Sequence, residues 1–265
     1  MVRLIFALIK RRLWLWKNYL INKITMDKIP EVEERNNIWF SGGGKQTSYD
    51  EDNVFHNNYD FAQKNTQMES SDNPLRRLRH YSLMKLLKNA MINKGLVAEC
   101  GCFRGLSTYQ IASYLVDQNY EHTFHVFDSF EGLSKIDKID KPSDRLIDEP
   151  ALRNQFSCSL DIVKDNLSKF SFINFHKGWI PERFCDVDDL VFSFVNIDVD
   201  LASPTRECLE FFYPRLVNNG IIFLDDYGCT QFPGAKKTID DFMSKNPDLF
   251  FFQMPSGAAF IVKYI

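Results

Sequence analysis

The sequence predicts an α/β fold built on a seven-stranded, mostly parallel sheet with helices on both faces and a C-terminal antiparallel hairpin strand. Two observations carry most of that expectation. From residue 74 onward, short apolar runs rich in Val, Ile and Phe alternate with stretches of helical spacing, and strand and helix in turn mean βαβ units and a parallel sheet. The chain then closes with two strand-like runs, LFFFQMP and GAAFIVKYI, joined by a short turn, which can place an antiparallel strand in the sheet. A third observation bounds the size: 265 residues, 45% of them hydrophobic, suit one large domain with an appendage rather than two.

The elements follow in order. After Pro74, LRRLRHYSLMKLLKNAMINKG places Leu75, Leu78, Leu83, Leu86 and Leu87 at helical spacing and reaches Gly95, a C-cap residue type. LVAEC is a short buried strand, LSTYQIASYLVDQ a helix, TFHVFD a strand, LRNQFSCSLDIVKDNL a helix and FSFINFH a strand. LVFSFVNID is the next strand, followed by the helix SPTRECLEFFYPRL, the strand GIIFLDD and the helix AKKTIDDFMSKN. The expected organisation is a basic aromatic helix over 1–26, a polar linker or flap over 27–73 with the triplet Gly42-Gly43-Gly44, and a catalytic domain over 74–265.

Composition excludes several function classes. The net charge of −3 repels a polyanion, so nucleic acid is not an expected partner. Six scattered cysteines, with only Cys100 and Cys102 close, match no zinc or redox spacing and read as reduced thiols of a cytoplasmic protein. Residues 1–24 hold six Lys/Arg and no acid, with Trp14, Trp16 and Tyr19 among aliphatics. The apolar run breaks at Lys10-Arg11-Arg12, short of a membrane span of about 18 residues, and no cleavage site follows it. Two readings stay open: peripheral contact with the inner face of an anionic membrane, or an arm packed on a partner subunit of a homo-oligomer.

The chemistry sits at strand ends. In AECGCFRGLS, Glu99 precedes Gly101 and Gly105 at the mouth of a helix. Such a turn lets the backbone approach a ligand, and Glu99 could attract an ammonium; the plain reading is an ordinary strand-to-helix turn. Phe103 and Arg104 break the G-x-G-x-x-G dinucleotide pattern. Asp128 ends the next strand, where an acid can accept both hydroxyls of a ribose. Gly178 and Trp179 follow the third strand, and the indole reads equally as a wall for a base or as core. His176 reads as a surface or turn residue.

Asp198 and Asp200 end the fourth strand, and Asp225 and Asp226 the fifth. On neighbouring strands about 4.8 Å apart these carboxylates converge. They repel one another unless a hard divalent cation such as Mg²⁺ sits among them. The charged segment KIDKIDKPSDRLIDEP reads as a lid over the site or as a solvated insertion.

Taken together, AECGCFRGLST, VFDSFEGL, HKGWIPE, NIDVDLASPTRECLEFFYPRL, NGIIFLDDYG and PGAKKTIDDF resemble the macrocin O-methyltransferase family, over about residues 75–265. The resemblance implies a Rossmann-like fold and S-adenosylmethionine as cofactor. It further implies Mg²⁺ or a similar ion at Asp198, Asp225 and Asp226, and Asp200 as general base. Glu99, Gly101 and Gly105 would hold the methionine end of the cofactor and Asp128 its ribose. The reaction it implies is O-methylation of a sugar hydroxyl on a glycan, glycoside or nucleotide sugar. Two rivals remain: a metal-dependent glycosyltransferase using Asp198-x-Asp200, which leaves Glu99, Gly101, Gly105 and the second acid pair unemployed, and a non-catalytic module, in which the acids would be eroded.

Overall fold

The computed structural model describes residues 47–142 and 149–264. The helix expected over 1–26 lies outside them, as does the linker before residue 47. The chain forms two compact units, Met1–Asp52 and Asn53–Ile265. Of the first, residues 47–52 make a turn in which Thr47 donates through its N–H and Oγ1 to Asp50 Oδ2.

The second unit begins 21 residues before the expected catalytic domain, at Asn53 rather than Pro74. The segment expected to be linker holds helix α1, Asn53–Thr66, which buries Phe55, Tyr59, Ala62 and Thr66. Those positions have helical spacing, but only one face of a polar segment carries them, so the pattern is faint in sequence. Helix α2, Pro74–Ala90, is capped by Asn73, whose side chain accepts from the N–H of Arg76. It ends at Ala90 and not at Gly95. Gly95 serves a different purpose, because a Cβ there would lie 2.5 Å from the backbone nitrogen of Ser193.

Five parallel strands follow: β1 Leu96–Cys100, β2 Phe124–Asp128, β3 Ile173–Lys177, β4 Phe192–Ile197 and β5 Leu216–Leu224. Strands β6 Phe250–Gln253 and β7 Ala259–Val262 are antiparallel, and β7 pairs with β5. The order β3-β2-β1-β4-β5-β7-β6 is that of the expected Rossmann-like sheet. The direction in which successive strands are added reverses between β1 and β4, the switch point outside whose strand ends ligands of open α/β sheets bind.

Helices α3 Leu106–Asp117, α4 Glu149–Gln155, α5 Leu160–Asn166, α6 Ala202–Arg215 and α7 Pro233–Lys245 complete the unit. The single helix expected over 152–167 is two, interrupted at 156–159, because Ser159 caps α5 by accepting from the N–H of Ile162. One sheet face carries Ala98, Cys100, Val195, Ile197, Ile222 and Leu224, packed on Cys208, Leu209 and Phe212 of α6 and Ile239 of α7. The alternate residues point the other way, and there Glu99 accepts from Asn196 and from Thr108 of α3.

Of the expected lid, residues 135–142 are pinned rather than free. Ile136 is buried, and Asp140, 1% exposed, accepts from the N–H of Ala202 at 2.7 Å. A Cβ on Gly234 would fall 2.0 Å from Asp140 Oδ1, so this half of the segment is clamped between α6 and α7. Residues 143–148 lie outside the described chain.

Candidate active site

The carboxyl ends of β1, β2, β4 and β5 open onto one cleft of about 860 Å³. Its floor is the turn after β1. Gly101 has φ +83, donates from its N–H to Phe127 O at 2.8 Å, and would put a Cβ 1.8 Å from the carbonyl oxygen of Asp198. Only glycine lets this turn pass so close beneath the loop after β4.

Glu99 does not reach the cleft, which corrects the expected contact with a ligand ammonium. It is fully buried in the sheet, accepting from Thr108 Oγ1 at 2.5 Å and from Asn196 Nδ2 at 2.9 Å. Burial pushes its carboxyl up to about 7. Gly105 also stands back from the cleft. With φ +90 it opens α3, and a Cβ would lie 3.0 Å from Leu167 Cδ1, so its task is helix packing.

Asp128 does line the cleft, but its carboxylate is largely engaged. Oδ2 accepts from the N–H groups of Cys102 at 2.8 Å and Phe103 at 3.1 Å, and Oδ1 from Phe130 at 2.7 Å. A carboxylate has about four acceptor sites, so Asp128 keeps room for one hydroxyl rather than the two expected. Gly178 and Trp179 also line the cleft. His176 is not at the surface as expected: its ring lies buried between His125 Nδ1 at 3.0 Å and Asp186 Oδ2 at 2.8 Å, stacked on Phe127, and it supports the sheet.

The acids converge. The β4–β5 register sets Ile197 beside Leu224, which brings Asp198 abreast of Asp225 at the next step. One carboxylate oxygen each from Asp198, Asp225 and Asp226 lie within 4.8 Å of one another, an all-oxygen donor set of the kind hard cations take. Asp200, left-handed at φ +60, donates from its N–H to Asp226 Oδ2 at 2.7 Å. Burial, then the neighbouring carboxylates, raises Asp198 and Asp200 well above the usual carboxylate range. Burial and Asp225 push Asp226 up to about 7. A cation among them relieves this repulsion, so the residues fit a divalent ion.

Sequence reasoning missed three cleft residues. Arg79 of α2 donates from Nε to both oxygens of Asp225, at 3.1 and 3.0 Å. His80 contacts Gln110 Nε2 at 2.7 Å. Ser256, on the turn between β6 and β7, has a buried Oγ with no protein hydrogen-bond partner. No local signal marks them, because Arg79 meets a residue 146 positions away and α2 offers Arg76 and Arg77 on the same turn.

The model of the macrocin O-methyltransferase (TylF) family matches residues 16–247. The chain belongs to that family. The match begins well before residue 75, where the resemblance in sequence motifs starts. Among curated proteins none matches the sequence. Among solved structures, the O-methyltransferase NovP is similar with a TM-score of 0.57 at 19% identity, covering 71% of this chain and 80% of that one. The calicheamicin methyltransferase CalS11 gives 0.58 at 15%, over 83% and 98%. TomG from Streptomyces achromogenes gives 0.51 at 11%, over 88% and 98%. At these identities the likeness shows the shared fold. The methyltransferase is an S-adenosylmethionine-dependent O-methyltransferase, and among its described residues no helix is long and apolar enough to cross a membrane.

Proposed function

We propose that this methyltransferase methylates a sugar hydroxyl, with a divalent cation held by Asp198, Asp225 and Asp226 and with Asp200 as the base. One observation carries the reading: the three carboxylates and Asp200 meet at the carboxyl ends of β4 and β5, directly above Gly101 of the turn after β1. Support for the sugar comes from the fold neighbour CalS11, described as a TDP-rhamnose 3'-O-methyltransferase of calicheamicin biosynthesis.

S-adenosylmethionine supplies an electrophilic sulfonium methyl. A divalent ion at the acids would supply charge that acidifies and orients an acceptor hydroxyl. The chain's own residues do the rest. Gly101 and the neighbouring N–H groups shape the floor beneath the cofactor, and Asp128 holds that turn while keeping one acceptor site for a hydroxyl. Trp179 offers an aromatic wall for the adenine. Asp200, fixed through its N–H on Asp226, accepts the hydroxyl proton as the oxygen takes the methyl group. With a donor already activated, positioning contributes much of the remaining rate.

A glycosyltransferase would leave Asp225, Asp226 and the turn at Gly101 without a role. Calorimetry with S-adenosylhomocysteine and with TDP-rhamnose, each with and without Mg²⁺, separates the readings. Binding of the homocysteine compound that weakens at least about tenfold in Asp128→Ala supports methyl transfer. Metal-dependent binding of the sugar nucleotide with no binding of the homocysteine compound overturns it.

A further inference from the structure

Asp225 is asked to serve two cations. It is one of the three converging carboxylates, yet both its oxygens already accept from Nε of Arg79, at 3.1 and 3.0 Å. The pair is shielded, with side-chain exposures of 26% and 16%, so water screens it little. The guanidinium also feels Asp198 and Asp226. The other two arginines of the cleft are occupied elsewhere. Arg76 donates to Tyr59, Ser71 and the carbonyl of Met68, and Arg104 to Thr66 O and Gln67. Arg79 is thus the cation that the acid cluster draws from the protein itself.

We infer that Arg79 is an internal counter-ion that competes with the divalent cation for Asp225, so that metal entry and separation of the Arg79–Asp225 pair are one coupled event. The inference rests on the metal site proposed above. With one guanidinium N–H shared between both oxygens of Asp225, a metal ion can take that carboxylate only against a positive charge already beside it, and two cations at one carboxylate repel. The competition sets the affinity of the metal site from α2, an element that contributes no metal ligand. It also couples α2, which lines the cleft with Leu75, Arg76, Arg79 and His80, to occupancy of the acids.

The test titrates Mn²⁺ into the full chain by calorimetry, for wild type, Arg79→Gln and Asp198→Asn. Arg79→Gln should bind Mn²⁺ at least about tenfold more tightly than wild type, and its melting temperature in EDTA should fall while the rise on adding Mn²⁺ grows. Equal or weaker Mn²⁺ binding in Arg79→Gln, with wild-type binding that Asp198→Asn abolishes, overturns the competition and leaves the metal site standing. Absence of Mn²⁺ binding in wild type and Arg79→Gln alike overturns both. If Arg79→Gln does not fold, wild type decides: the Nε–H resonance of Arg79 must shift as Mg²⁺ saturates, and an unmoved resonance overturns the inference.

Discussion

The main-chain N–H of Asp200 donates to Oδ2 of Asp226 at 2.7 Å, tying the loop after β4 to the turn after β5. This bond uses the backbone of Asp200 and leaves its carboxylate for chemistry. Asp200→Asn should therefore lower turnover by about 10²–10⁴-fold while Mn²⁺ affinity stays within a few-fold of wild type. Steady-state kinetics paired with a metal titration checks this, and retained turnover would remove Asp200 from the role of base.

Gly101→Ala should be among the most damaging conservative changes in the cleft. The residue sits at φ +83, and the added carbon would lie 1.8 Å from the backbone oxygen of Asp198. Overpacking against backbone costs about 1–3 kcal/mol or more. Urea denaturation should show that loss, and metal affinity should fall with it because Asp198 is displaced; an unchanged midpoint contradicts the close approach.

Stabilisation by Mg²⁺ should grow with pH. Asp226, pushed up to about 7 by burial and Asp225, holds more proton when folded than when unfolded across the window from its ordinary 3.8 to about 7. Without a divalent ion its stability contribution is lost as pH rises through that window. His80 and His125, lowered by burial to about 3 and about 4, act oppositely: they cost stability as pH falls below 6.5. The difference between melting temperatures in Mg²⁺ and in EDTA cancels the histidines. It should increase by on the order of 3–5 °C between pH 5 and pH 8, and a flat difference would argue against metal at these acids.

Ser256→Ala should leave thermal stability unchanged or slightly higher, within about 0.5 kcal/mol. Its buried Oγ has no protein partner, so removing it takes away an unpaired polar group. A marked loss of stability would show that the hydroxyl is hydrogen-bonded in solution.

Much of this architecture was legible because periodicity and residue type reinforce each other locally. The apolar runs ending in Asp198 and Asp225 read as buried strands from their residue types, while their adjacency is set by the pairing of β4 with β5. What was hidden depends on contacts across the chain. Glu99 looks like a ligand residue in its motif, yet strand alternation turns it toward Thr108 on the far face of the sheet. Asp128 ends its strand as expected, but the three N–H groups that occupy it belong to loops whose shape no motif records. Helix α1 resembles a polar linker or flap in sequence because its buried face, Phe55, Tyr59 and Ala62, is diluted by Asn and Asp. Asp140 lies in a charged segment that reads as a lid or as a solvated insertion, while it caps α6 from a distance of 62 residues.

The proposed reaction depends on Asp198, Asp225 and Asp226 holding one divalent ion beside the methyl donor. A titration of Mn²⁺ followed by electron paramagnetic resonance, on the S-adenosylhomocysteine complex of wild type, Asp198→Asn and Asp226→Asn, tests it directly. Wild type should bind one Mn²⁺, and each variant at least about tenfold more weakly. Equal Mn²⁺ binding by wild type and both variants, or none by wild type, would contradict it.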